Sequence, residues 1–490
     1  MRKIVPALNQ LGKGDIMFLN ARIYFWILLV FSVFALVMPV VIREKFTDGA
    51  LIGPESYRSI RIGNMFREGY FSYDSLSYGG KPFVEEKAWY FLISIAPNFM
   101  VRLLPLIFGI LSFVLFYFLI DKINPELKGI SSLLLILSPA YLYLFSTASK
   151  YCAAIFFILL GFYFFYKRFR YLSIAAFLIS GLFSMITLFF VVLTYLIYGL
   201  RKEDLRNFYL LFFGFIILFI LQFYIIFKFG LPHTIFSFVN FDINKIFSFV
   251  VFGIGGKYGF NFFILILAFI GIYKNFNDKY KYLLIYILLF FGFIISFYMP
   301  FLFSYLSFVM AYFASLGLIL LFSEQWKSGV FKFFTIVVIF CGILFSFLVF
   351  YNQVHNFEPN INYAGGINFL KNKVLDGTVL SDYRLSDYVT YGGERTVIGS
   401  DVAYAPNIFE RHNDMKVLFN ITNIDSALSL IDEYNINYIL VDTRMWEEFF
   451  DNHEQGLLFL LKYTPNVFVS VFNSSDVNIW YVRDKNYRNL

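Results

Sequence analysis

Charge is scarce in this chain. Asp, Glu, Lys and Arg make up 15% of its 490 residues, against about 25% in soluble domains, which excludes an ordinary soluble protein for most of the length. Cysteine is scarcer still. Cys152 and Cys341 are the only two, and both fall inside apolar runs, which argues against a disulfide framework. The four histidines, at 233, 355, 412 and 453, are scattered and form no metal-binding spacing. The stretch Gly253-Ile-Gly255-Gly256-Lys257 lacks the spacing and strand–helix setting of a phosphate loop and reads as an external loop at a span start. No internal repeat, low-complexity tract or long linker is present.

What replaces charge is apolar bulk. Hydrophobic residues reach 59% and mean hydropathy is +0.68. The apolar residues come in blocks of roughly twenty, enough to cross a bilayer. The chain reads as a polytopic α-helical membrane bundle. Blocks near 23–42, 94–120, 129–146, 151–166, 171–185, 186–199, 208–229, 259–274, 282–299, 301–322 and 330–351 give about 11 spans. The first is too long, and its basic flank too extended, for a standard cleavable signal peptide. Lys122 and Lys128, Lys167–Arg170, Arg201–Arg206, Lys274–Lys281 and Lys327 fall in alternate loops. The positive-inside rule makes these loops cytoplasmic, together with the N-terminus. That scheme requires 171–199 to cross twice, with Gly181 and Ser184 marking the turn. The net charge of +7 then reflects cytoplasmic anchoring and not nucleic-acid binding. The 69 Phe and 36 Tyr read as lipid-facing bulk and interfacial anchors, with membrane lipid as a partner.

The domain boundary is expected at 351/352: a membrane domain 1–351 with an external loop 43–93, then an extracytoplasmic soluble α/β domain 352–490. Beyond 352, Asn, Asp and Glu become common and apolar runs shorten. Segments 378–382, 395–399, 437–442, 467–472 and 478–482 read as strands. Residues 424–435 read as an amphipathic helix with Ile424, Leu428, Leu430, Ile431 and Tyr434 on one face. Short strands alternating with helices indicate a small α/β domain. Two Asn-x-Ser/Thr sequences, at Asn420 and Asn473, are compatible with an external location.

The loop after the first span carries the chemistry. Glu55 falls just beyond the first apolar run, Arg61 follows six residues later, and Asp74 lies in an aromatic, glycine-rich segment. An acid at the mouth of a membrane bundle is costly unless it faces a polar cavity, so both acids are candidate site residues. The plainer readings are a solvated loop acid for Glu55 and a turn cap for Asp74.

Glu55-Ser-Tyr57-Arg-Ser-Ile-Arg61 is close to an Asp-x-x-Tyr-x-x-Arg frame. Phe71-Ser-Tyr73-Asp74-Ser-Leu-Ser-Tyr78-Gly79-Gly80 is close to Phe-Asp-Pro-x-Thr-Tyr-Tyr-Pro-x-Gly. With Arg102-Leu-Leu-Pro105 and Ser138-Pro139-Ala-Tyr141, these features resemble the GT-C glycosyltransferases, and most of all the catalytic subunit of N-oligosaccharyltransferase. The resemblance covers residues 20–170 well and the rest in outline. It also fails informatively. Where the family carries a second acidic, metal-holding motif, this chain has Ser146-Thr-Ala-Ser149-Lys150-Tyr151, and the Lys150 ammonium repels a metal and stands in for its charge. The family's Thr-Ile-x-Glu motif is echoed only by Thr234-Ile235-Phe-Ser237, or is shifted to Asp242. Its Trp-Trp-Asp-Tyr-Gly pocket is reduced to Leu380-Ser-Asp382-Tyr383-Arg384.

The resemblance implies transfer of a sugar from a polyprenyl-phosphate-linked donor to a protein or glycan acceptor on the outer face. One positioned carboxylate takes the acceptor's proton and the anomeric carbon inverts. Glu55 is the candidate base and Asp74 a second catalytic candidate. Arg58, Arg61, Lys150 and Lys257 are the cations available to the donor phosphate, although Arg61 and Lys150 also read as snorkelling anchors. Asp242, Asp382 and Tyr383 are carried over as acceptor-side residues. A divalent metal, Mg or Mn, remains open with the second acidic motif missing. The alternatives are a true oligosaccharyltransferase with altered motifs, a flippase for lipid-linked sugars, or a non-catalytic scaffold. A transporter would favour paired repeats and broken helices, and the sequence shows no twofold repeat.

Overall fold

The computed structural model describes residues 21–47, 49–202, 205–229, 256, 261–275, 279–297, 299, 301–373, 377–449 and 455–483. They divide into two compact units. One is built from the described parts of Met1–Ile42, Arg102–Phe219 and Phe241–His355, the other from those of Arg43–Val101, Ile220–Asn240 and Asn356–Leu490.

The first unit is helical, and each expected apolar block falls largely on helix in its described residues. Among the described residues four helices are long and apolar enough to cross a bilayer: Ile23–Phe46, Phe99–Ile123, Phe301–Ser323 and Gly329–Val354. The block expected as one span at 129–146 is instead broken, with Lys128–Ile136 and Pro139–Ser146 bent by 63°. The cause is local: proline disfavours helical backbone at the residue before it, and Ser138 is extended at φ −83°, ψ 119°. If that bent pair is one span the number becomes five, and the remaining blocks are six shorter apolar helices. The turn expected in 171–199 falls at Ser184, which is extended between Arg170–Phe183 and Met185–Lys202, whereas Gly181 is helical.

Small residues let these helices meet. A Cβ on Gly317 would lie 2.0 Å from the Leu267 carbonyl oxygen, and one on Gly271 would lie 2.1 Å from that of Phe313. The backbones of Phe262–Asn275 and Phe301–Ser323 are thus in direct contact, the packing that membrane helices use in place of a hydrophobic drive. Outward-facing bulk is the complement: Val330, Phe331, Phe333 and Phe334 are all exposed. This is a multi-pass membrane protein. Cys152 is buried, Cys341 is exposed, and both are free thiols.

The second unit holds a five-stranded sheet. Strands β1 (Tyr73–Asp74) and β2 (Lys81–Pro82) form a separate small hairpin. The sheet uses β3 (Thr378–Leu380), β4 (Arg395–Thr396), β5 (Ile436–Asp442), β6 (Phe468–Asn473) and β7 (Val477–Val482), in the order β4-β3-β5-β7-β6. β3 runs parallel to β4 and β5, while β7 is antiparallel to β5 and β6. All five expected strand segments are present, the second trimmed to two residues. The amphipathic helix is Ile424–Glu433, capped by the Asn423 side chain, which accepts from the Asp425 N–H at 2.9 Å.

The loop after the first span is not a loop for most of its length. It forms the helices Pro54–Arg67 and Ala88–Ile95 and shares a core with the tail, where Tyr57 and Tyr78 are buried with Val379, Leu380 and Tyr388. Arg43 fixes the junction. Its guanidinium donates to the carbonyls of Ala50 (2.9 Å), Leu51 (3.1 Å), Phe357 (2.8 Å) and Pro359 (2.6 Å). Residues 43–101 therefore belong with 356–490 in one compact unit, an association that a single cut at 351/352 leaves out.

Candidate functional site

The Pro54–Arg67 helix organises the site. Pro54 opens it, where the missing N–H is not needed, and Glu55 stands in its first turn, exposed. Arg58 lies one turn further on, and Arg61 one turn beyond that. Positions i and i+3 are neighbours on a helix surface, so Arg58 neighbours Glu55 on one side and Arg61 on the other.

Arg61 and Asp74 are a closed pair. Nη1 reaches Oδ1 at 2.6 Å and Nη2 reaches Oδ2 at 2.8 Å. The Ser77 hydroxyl (2.8 Å) and the Leu76 N–H (3.1 Å) also donate to this carboxylate. Burial alone would push the Asp74 carboxyl up, but the Arg61 charge and these donors hold it well below the usual carboxylate range.

Arg58 turns to a second cluster. It pairs with Glu85 and, at 2.9 Å, with Asp401. Asp401 also meets Lys81 Nζ, which lies 1% exposed and donates to the Ala403 carbonyl at 3.2 Å. The Tyr90 hydroxyl donates to Glu85 at 2.5 Å. Behind this cluster the buried Asp387 accepts from the Ser400 hydroxyl at 3.0 Å. Its burial raises the carboxyl, and the nearby Arg58 and Arg61 charges offset this only in part. Glu85, Lys81, Asp387 and Asp401 were not singled out from the sequence. Glu85, in a Glu-Glu-Lys run before the Ala88–Ile95 helix, was the one available signal; Asp401 lies more than 300 residues from Arg58 and Lys81, and Asp387 as far from the Arg58 and Arg61 charges.

The tail residues sit beside a different group. Asp382 caps the 3-10 turn Tyr383–Leu385 and is held by Arg384, whose N–H and Nε approach at 2.8 and 2.7 Å. The Tyr383 ring lies 6.4 Å from that of His412, and His412 Nε2 is 3.3 Å from the Tyr78 hydroxyl. Tyr78 also donates to the Gly399 carbonyl at 2.8 Å, and burial pushes its phenol up to about 12. Burial lowers His412, aided by Lys416 and opposed by Asp382.

Of the residues expected from the sequence, the structure brings Glu55, Arg58, Arg61, Asp74, Asp382 and Tyr383 into one compact unit. Lys150 starts the Lys150–Tyr166 helix of the other unit, its Nζ 5.8 Å from the Tyr151 ring centroid. Asp242 and Lys257 lie outside the described residues. Among the described residues no three His, Cys, Asp or Glu side chains converge into a metal-sized group. Asp74 and Asp382 already face arginines.

No family model matches the chain, and no curated sequence matches it significantly. Solved structures do. The Archaeoglobus fulgidus oligosaccharyltransferase in complex with Zn and sulfate aligns with a TM-score of 0.62 at 13% identity, over 93% of this chain and 73% of that one. The oligosaccharyltransferase AglB from the same organism, in complex with an inhibitory peptide and a dolichol-phosphate, gives 0.61 at 13% identity over 94% and 74%. ArnT from Cupriavidus metallidurans bound to undecaprenyl phosphate gives 0.51 at 13% identity over 93% and 98%. At these identities the likeness is one of fold: this chain has the fold of GT-C membrane glycosyltransferases.

Proposed function

We propose that this chain is an integral-membrane glycosyltransferase of about 11 spans, with its N-terminus cytoplasmic and its sheet-bearing unit outside. It moves a sugar from a polyprenyl-phosphate-linked donor to an acceptor at the outer surface. The observation that carries the reading is Glu55, exposed in the first turn of the helix that follows the first span and one turn ahead of Arg58, in a fold shared with structures bound to dolichol-phosphate and undecaprenyl phosphate.

Glu55 accepts the proton of the acceptor hydroxyl as its oxygen bonds to the anomeric carbon. The bond from that carbon to the phosphate oxygen breaks on the opposite face, the electron pair leaves with the polyprenyl phosphate, and the configuration inverts. Charge grows on the leaving oxygen, where a guanidinium is worth most. Arg58 is the cation on the same helix face as Glu55, and it exchanges Glu85 and Asp401 for the phosphate. The Arg61–Asp74 pair positions that helix. Lys150 and Lys257 remain further donor-phosphate candidates, and Asp382 and Tyr383, with Asp242, the acceptor-side candidates.

An apolar cleft of about 380 Å³ in the helical unit, lined by Phe116, Ile155, Phe162, Phe190, Leu288 and Phe308, suits a prenyl tail. The test is turnover of a panel of polyprenyl-linked sugars by the purified chain. Sugar transfer or donor hydrolysis supports a transferase. Donor binding without turnover, equal in wild type and Glu55→Gln, moves the scaffold or flippase reading ahead.

A further inference from the structure

The sheet of the second unit has two faces with different chemistry. Side chains alternate along a strand, and the alternation in β7 puts Val477 and Ile479 on one side and Asn478 and Trp480 on the other. The first side is covered: a Cβ on Gly366 of the Ile361–Lys373 helix would lie 3.3 Å from Val477 and 3.9 Å from Ile479. The other side opens into a cleft of about 390 Å³. Register places its polar groups together, since Ser470 of β6 is the direct partner of Trp480 and Asn473 of Asn478. Trp446, from the Thr443–Phe449 helix, supplies a second indole to the lining, and Phe468 and Leu458 contribute buried apolar surface.

We infer that this cleft is a binding site for a neutral hexopyranosyl residue, separate from the transfer chemistry at Glu55. A pyranose presents a flat C–H face and a rim of hydroxyls, each both donor and acceptor. The cleft supplies the complement: the Trp446 and Trp480 indole rings as apolar platforms, and three short neutral side chains able to donate and accept. Asn478 is buried and its amide oxygen accepts from the Ser474 N–H at 3.2 Å, which leaves its NH₂ as a donor. Ser470 and Asn473 are exposed at the rim. Other ligand classes fit less well. A cation would need carboxylate or carbonyl oxygens in numbers, and the lining contains no carboxylate. A phosphate would call for arginine, and the only cation in the lining is Lys462. A purely apolar ligand would leave the Asn478 NH₂ desolvated without an acceptor.

The inference does not depend on the transfer reaction, and the experiment separates the two. The full chain is placed in lipid nanodiscs, because maltoside detergents would carry the ligand themselves. It is titrated with methyl glycosides of mannose, glucose, galactose and N-acetylglucosamine, read by tryptophan fluorescence and saturation-transfer difference NMR. The expected result is saturable binding of at least one glycoside, with transfer concentrated on one C–H face. Trp480→Ala should weaken binding at least about tenfold, Trp480→Phe should recover part of it, and Ser470→Ala should weaken it less. Unchanged thermal melting of the variants shows that the fold is intact, and turnover of a polyprenyl-linked sugar is followed in the same preparations. Failure of every glycoside to saturate overturns the inference, as does equal binding by wild type and Trp480→Ala, or a response to an aromatic dipeptide alone. If turnover persists while glycoside binding is absent, the cleft inference fails by itself. If glycosides bind through Trp480 while no donor is turned over, only the proposed reaction fails.

Discussion

Arg61 and Asp74 meet side on, with two guanidinium nitrogens on two carboxylate oxygens at 2.6 and 2.8 Å, and this contact ties the Pro54–Arg67 helix to the hairpin β1–β2. Arg61 is 9% exposed and Asp74 2%, so removing one partner leaves a buried charge. Arg61→Leu or Asp74→Leu alone should cost about 3–5 kcal/mol, and the double variant less than the sum of the two. Thermal unfolding of the reconstituted protein measures the cycle. Additive losses would contradict a coupled pair.

The same pair sets a pH dependence. Because the folded Asp74 carboxyl is held below its unfolded value, its stabilisation is present at and above the ordinary carboxylate range and is lost only as pH falls through the depressed folded value. Asp387 behaves oppositely. Its carboxyl is raised, so the protonated form is favoured in the fold, and stability drops as pH rises from the ordinary carboxylate range through the raised value. Asp387→Asn keeps an acceptor for Ser400 and removes the buried charge. It should be neutral or stabilising at pH 7 and should flatten that part of the stability profile, whereas Asp74→Asn should destabilise at the same pH.

Asp401 serves two cations at once, Arg58 and the buried Lys81. Asp401→Ala should therefore lower the melting temperature, and adding Lys81→Met should recover part of the loss, since a buried lysine without its carboxylate is the larger penalty. No recovery in the double variant would show that Asp401 acts through its backbone turn and not through its charge.

Helix contact in the membrane unit gives a steric prediction. Gly317→Val has no room beside the Leu267 carbonyl and should prevent normal packing of the two helices, seen as loss of folded, monodisperse protein. Gly329→Ala meets nothing within 4 Å and should be silent, which controls for the loss of glycine as such.

Much of the architecture was legible in the sequence because its signals are periodic and local. Apolar blocks marked the helices, and the short β-rich runs marked β3 to β7. The break at Ser138 was missed although Pro139 signals it, because hydropathy averages across the bend. The site was only half legible. Glu55, Arg58 and Arg61 share one helix, so their spacing carried the information. Asp387 and Asp401 join that helix through the fold of a unit assembled from 43–101 and 356–490, and no local pattern encodes such a meeting. Trp480 read only as a strand residue; its pairing with Ser470 depends on register across a hairpin and a bulge between Ser470 and Phe472.

Glu55 is the central claim, and one comparison tests it most directly. Wild type and Glu55→Gln are assayed for sugar transfer or donor hydrolysis on polyprenyl-linked donors, with donor binding and thermal melting measured on the same samples. The account predicts that Glu55→Gln lowers turnover by about 10²–10⁴-fold with donor binding and melting unchanged. Equal turnover by the two proteins would contradict it and remove Glu55 as the base.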